Sequence, residues 1–120
     1  WVSAAEYDLQ TAEAMLREQR CLYVLFCCQQ ALEKMLKALL IQQTQELPPR
    51  THDLTRLAAR AQLELGAEQD RLLRTLSRYY TETRYPETST EELNELNLKQ
   101  ATDYLTATRE YTEWLRTKWT

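Results

Sequence analysis

The residues of this chain best able to do chemistry fall in three places. His52-Asp53 follows Thr51, Arg84-Tyr85 precedes Pro86, and Gln30, Glu33 and Lys37 recur at spacings of three and four within a long apolar stretch. An arginine beside aromatics, here Tyr80 and Tyr85, can pair a phosphate and stack a base. In the same place Arg84 can instead cap helix carbonyls, with Tyr85 packed ahead of the proline turn. His52 and Asp53 stand at the expected start of a helix, where free backbone N–H groups favour anions, although Asp53 can itself satisfy those donors. Glu33 and Lys37 make an i, i+4 ion pair, and Phe26 and Ile41 beside them point to partial burial. Arg71, Arg74 and Arg78 form a basic stripe that can touch RNA phosphates or serve as a solvated face balanced by Glu68 and Glu82.

Other chemistries find little support. Fifteen Lys and Arg against eighteen Asp and Glu give a net charge of −3 over 120 residues, so any nucleic-acid contact has to be local. The three cysteines, Cys21, Cys27 and Cys28, are odd in number and share one predicted helix, which argues against a disulfide framework and for reduced, buried thiols in a cytoplasmic protein. With one histidine, a four-ligand zinc site is poorly supplied. No cofactor is expected. No apolar run is long enough to span a bilayer, and no membrane association is expected.

The elements that must position these residues are helical. A single glycine, three prolines and 28% charged residues favour an all-α domain occupying the whole chain, 1–120. Its centre is Cys21 to Gln43, where Leu22, Val24, Leu25, Cys28, Ala31, Leu32, Met35, Leu36, Ala38, Leu39 and Leu40 fill an arc of roughly 200° at about 100° per residue. A helix so apolar needs neighbours on more than one side. Before it, Ser3 with Glu6 reads as a capping box, and Ala5, Leu9, Ala12 and Leu16 carry a first helix to about Gln19. Pro48 and Pro49 close the central helix. Thr51 then caps a short third helix carried by Leu54, Leu57, Ala58 and Ala61, with Gly66 as its stop. A fourth helix from Ala67 turns Leu72, Leu73, Leu76, Tyr79 and Tyr80 inward. Ser89 with Glu92 opens the last helix, whose inward stripe is Leu98, Ala101, Leu105, Thr112, Leu115 and Trp119. The expected architecture is an antiparallel four-helix up-and-down bundle with a short additional helix.

Three motifs in order give the chain a family likeness. Gln29-Gln30-Ala31-Leu32-Glu33-Lys34 continuing to Leu36-Lys37-Ala38-Leu39, then Thr51-His52-Asp53-Leu54, then Tyr79-Tyr80 with Arg84-Tyr85-Pro86, resemble the HEPN family of small helical nucleotide-binding domains. The resemblance covers nearly the whole chain. It implies a bundle of four to five helices, often dimeric and frequently encoded beside a minimal nucleotidyltransferase as a toxin–antitoxin-like pair. It also implies a shared site built from Arg84, Tyr85, His52, Asp53, Gln30, Glu33, Lys37 and Tyr80.

One departure bears on activity. The ribonuclease branch of that family uses an Arg followed after four to six residues by a His. Here the only histidine is His52, the positions that would hold its arginine are Gln45, Glu46 and Leu47, and the spacings from Arg84 reach Ser89, Thr90 and Glu91. The expectation is therefore a nucleotide- or RNA-binding domain without catalysis, in a toxin–antitoxin-like pair with a nucleotidyltransferase. One alternative is a homodimeric adaptor that binds no nucleotide, favoured by the aromatic-rich last helix with Tyr104, Tyr111, Trp114 and Trp119, because aromatic residues off a core stripe are enriched at interfaces. Another is a ribonuclease working through a different pair of residues.

Overall fold

The computed structural model describes residues 1–84 and 96–119, the side chains of 82–84 excepted. Five helices account for its regular structure: α1 (Val2–Arg17), α2 (Cys21–Thr44), α3 (Leu54–Arg60), α4 (Ala67–Arg84) and α5 (Leu98–Arg116), with no strand among the described residues.

The central stretch behaves as its composition demands. α2 touches each of the other four helices, and Val24, Leu25, Cys28, Ala31, Leu32, Met35, Leu36 and Leu39 are sealed from solvent. Each buried leucine of this kind contributes roughly 1.5–3 kcal/mol, so the middle of α2 dominates the core. α1 adds Ala5, Leu9 and Ala12, and α4 adds Leu72, Leu73, Leu76, Tyr79 and Tyr80. Ion pairs fasten the rim: Lys34 of α2 reaches Asp8 of α1 at 2.6 Å, and Arg109 of α5 bonds Glu13 of α1. α4 packs on α2 far more extensively than on α5.

Cys28 is fully buried and Cys27 nearly so. Burial pushes the Cys28 thiol up to about 12 and the Cys27 thiol up to about 11, which keeps both protonated and unreactive. All three cysteines are free thiols. Among the described residues no helix is long and apolar enough to cross a membrane.

Helix ends depart most from expectation. Ser3 lies inside α1, whose N-cap is Trp1 with no side-chain cap, because the helix starts two residues earlier than the Ser3–Glu6 pattern implies. Asp53, not Thr51, caps α3: its Oδ1 accepts from the Thr55 N–H at 3.0 Å, while Thr51 Oγ1 accepts from the Asp53 N–H at 3.1 Å. Gly66 opens α4 rather than closing α3. Its carbonyl accepts from the Asp70 N–H and its own N–H donates to Gln69 Oε1. Helices α1, α2 and α3 are followed instead by Gln19, Gln45 and Gln62 at φ 59, 58 and 57°. Arg20 N–H to Met15 O closes α1 and Leu63 N–H to Ala58 O closes α3, the six-to-one bond of a Schellman motif.

The Ser89–Glu92 box lies outside the described residues, and α5 begins later, at a capping box formed by Asn97 and Gln100. Its stripe is also corrected: Leu98 is 45% exposed, whereas Tyr111 is 3% exposed and belongs to the core. Tyr104, Trp114 and Trp119 pack against that core as well.

Candidate functional site

The site begins on one face of α2. Gln29, Glu33 and Lys37 recur every fourth residue, one above the other, and all three are buried at 0, 6 and 8% exposure. Polar groups so placed need partners. Glu33 Oε1 accepts from Gln29 Nε2 at 3.0 Å and from His52 Nδ1 at 2.8 Å, while Oε2 accepts from Lys37 Nζ at 3.1 Å. Gln29 Nε2 also donates to the His52 carbonyl at 2.9 Å, and Gln29 Oε1 accepts from Gln30 Nε2 at 2.7 Å. The face that faces the site is thus Gln29-Glu33-Lys37, with Gln30 joined to it through Gln29.

This network fixes His52. A carboxylate only accepts, so Nδ1 carries a proton, and the ring orientation is set by that bond. The ring lies 5.0 Å from that of Tyr80, which stacks in turn on Phe26 at 5.5 Å. With its side chain 52% exposed, His52 is anchored on one edge and open on the other.

That open side faces a groove of about 570 Å³ between the α3 entry and α4, lined by His52, Asp53, Thr55, Arg74, Ser77, Arg78, Tyr80 and Thr81. The helical register of α4 brings Arg74, Ser77, Arg78 and Thr81 to one side. Ser77 Oγ accepts from the Leu54 N–H at 3.1 Å, docking α3 onto α4. Arg74 Nε donates to Asp70 Oδ2 at 2.7 Å, which holds the side chain along the helix surface. The Arg78 guanidinium carbon sits 5.3 Å from the Tyr79 ring centroid. Two guanidinium groups, hydroxyls and an oriented imidazole in one groove form a set that pairs with phosphate oxygens. No group of three or more metal-ligating side chains occurs among the described residues.

Of the residues expected at a site, the structure brings together His52, Glu33, Lys37, Gln30 and Tyr80. Asp53 lines the groove, but its Oδ1 is already held by the backbone and hydroxyl of Thr55. Tyr85 lies outside the described residues, as does the side chain of Arg84. Gln29 was not anticipated, although it stands at the same distance before Glu33 as Lys37 does after it. The basic stripe is divided: Arg74 and Arg78 line this groove, whereas Arg71 lies on the side of α4 towards α5.

Neither the curated proteins nor the solved structures give a match to this chain. The family model for the HEPN domain matches residues 1–118, nearly its whole length, and the chain belongs to the HEPN domain family.

Proposed function

We propose that this HEPN domain binds a nucleotide or an RNA segment in the groove between α3 and α4, without catalysis. The observation that carries the reading is His52 locked at Nδ1 by a buried carboxylate and placed in one groove with Arg74 and Arg78. The two arginines take the phosphates, His52 Nε2 bonds a polar group of the ligand, and the exposed His52 ring offers a face for a base. Arg84 and Tyr85, a few residues further along the sequence, belong to the same proposed binding set. The absence of the Arg-to-His spacing used by ribonucleases of this family supports binding over cleavage.

Family membership supports the wider assignment: a homodimer, helices packed up-and-down, working in a toxin–antitoxin-like pair with a minimal nucleotidyltransferase. Tyr111 is buried in the core and the other α5 aromatics are partly buried against it, so the adaptor alternative rests on the portions of Tyr104, Tyr111 and Trp114 that line the hollows between α4 and α5.

Thermal unfolding in the presence of ATP, GTP or a short RNA tests the binding. A ligand held only by the folded state stabilises it by about 2.7 kcal/mol at a hundred times Kd. A saturable rise in Tm with at least one ligand, lost in the Arg74→Ala/Arg78→Ala double variant, is expected. No rise with any of the three overturns the proposal.

A further inference from the structure

α4 has a second groove on its other side, and its chemistry is different. Two adjoining hollows, about 280 Å³ and about 260 Å³, lie between α4 and α5 and share Glu68, Leu72 and Ala107. Their floor is apolar, with Leu72, Ala107, Tyr104, Tyr111 and Trp114, and their charged lining is Glu68, Asp103 and Glu110 against Arg71 alone. Along α4 the groove runs from Glu68 to Thr75, about 10 Å or two helical turns.

A second, independent observation marks this contact as incomplete. The Tyr111 hydroxyl is buried without a hydrogen-bond partner among the described residues, an arrangement that costs about 1–3 kcal/mol and is rare in native proteins. The Tyr111 ring meets Trp114 edge-on at 5.4 Å. Lys118 lies over the Trp114 face, 4.7 Å from its centroid, a cation–π contact within the chain.

We infer that the α4–α5 groove docks an amphipathic protein helix that presents apolar anchors between Lys or Arg side chains. The anchors fill the two hollows at i and i+3 or i+4 spacing, the basic side chains face Glu68, Asp103 and Glu110, and the Tyr111 hydroxyl gains an acceptor as the packing closes. Charge decides the occupant. A second copy of this chain brings a net charge of −3 to an acidic lining, which opposes self-association there. A basic partner is complementary.

Amide NMR of the full chain titrated with an 18-residue peptide of Leu and Lys in helical register tests this, beside the same peptide with Glu for Lys. The Lys peptide is expected to shift Leu72, Ala107, Tyr111 and Trp114. Its affinity is expected to fall at least tenfold in the Glu68→Lys/Glu110→Lys variant, whose changes lie on exposed positions, and the Glu peptide is expected to leave the spectrum unchanged. Perturbation confined to other surfaces, equal binding by the charge-reversed variant, or concentration-dependent self-association through these same residues without peptide would each overturn the inference. The nucleotide titration is independent: failure there leaves the peptide result standing, and the reverse.

Discussion

The two grooves flanking α4 share a helix and little else. On the α3 side every buried polar group of α2 has its partner: Glu33 engages Gln29, His52 and Lys37, and Gln29 engages the His52 carbonyl. On the α5 side a buried phenol has none among the described residues, and the lining is acidic over an apolar floor. A site whose side chains are already held loses little freedom when a small anion arrives. A contact left unfinished gains most from a partner large enough to finish it. One helix thus serves a preorganised surface and an incomplete one, chosen by which side of its 100° rotation a residue occupies.

The contrast is most exposed to failure at Glu33. Removing that carboxylate by Glu33→Ala leaves Lys37 buried without its counter-charge and frees His52, and is expected to cost about 3–5 kcal/mol in urea unfolding. A cost below about 1 kcal/mol would mean that the α3 side is not the completed one.

Alkaline pH should strain the α5 side through Tyr111, together with the buried thiols of α2. Burial raises the phenol of Tyr111 above its ordinary value and the thiols of Cys27 and Cys28 to about 11 and about 12. The unfolded chain releases these protons from about pH 9 upwards, while the folded chain retains them, so the unfolded state binds fewer protons in that window. Stability is therefore constant below about pH 9 and falls as pH rises towards 11–12, by about 1.4 kcal/mol per pH unit for each such group. Melting curves from pH 8 to 11 check this. Tyr111→Phe should flatten the slope above pH 10, and an unchanged slope would remove Tyr111 from the account.

Smaller effects refine the comparison. Arg78→Ala should weaken nucleotide or RNA binding about tenfold, or about 1.4 kcal/mol, and change folding stability by less than about 0.5 kcal/mol because the side chain is exposed; equilibrium binding and melting together separate the two. At neutral pH, Tyr111→Phe should be neutral or stabilising by up to about 1 kcal/mol, since it deletes an unpaired buried hydroxyl. A loss above 1 kcal/mol in urea unfolding would show that the hydroxyl has a partner.

The parts of this molecule governed by apolar periodicity were legible in the sequence. α2 and the inward stripe of α4 follow from residues whose burial needs no knowledge of a partner, and the ordered motifs around Glu33 and His52 marked the site. Legibility failed where the decision is tertiary. Gln29 and Gln30 are chemically identical, and it is the packing against His52, whose carbonyl accepts from Gln29 Nε2, that shows which one is buried in the network. Arg71, Arg74 and Arg78 look like one stripe until α3 and α5 settle on opposite sides of α4. Tyr111 reads as an interface aromatic because it falls off the Ala101-Leu105-Thr112-Leu115 stripe, and only the packing of α5 turns it into the core.

The helix ends give a different lesson. Gln19, Gln45 and Gln62 hold a left-handed backbone that a side chain resists by roughly 1–2 kcal/mol, in places where glycine would sit at ease. Each is a single substitution away from relief, far from either groove's chemistry. A lineage carrying this chain therefore has room to manoeuvre: exchanging those glutamines for glycine would offset a costly change elsewhere, so that new ligand or partner preferences could be explored without crossing the threshold of unfolding.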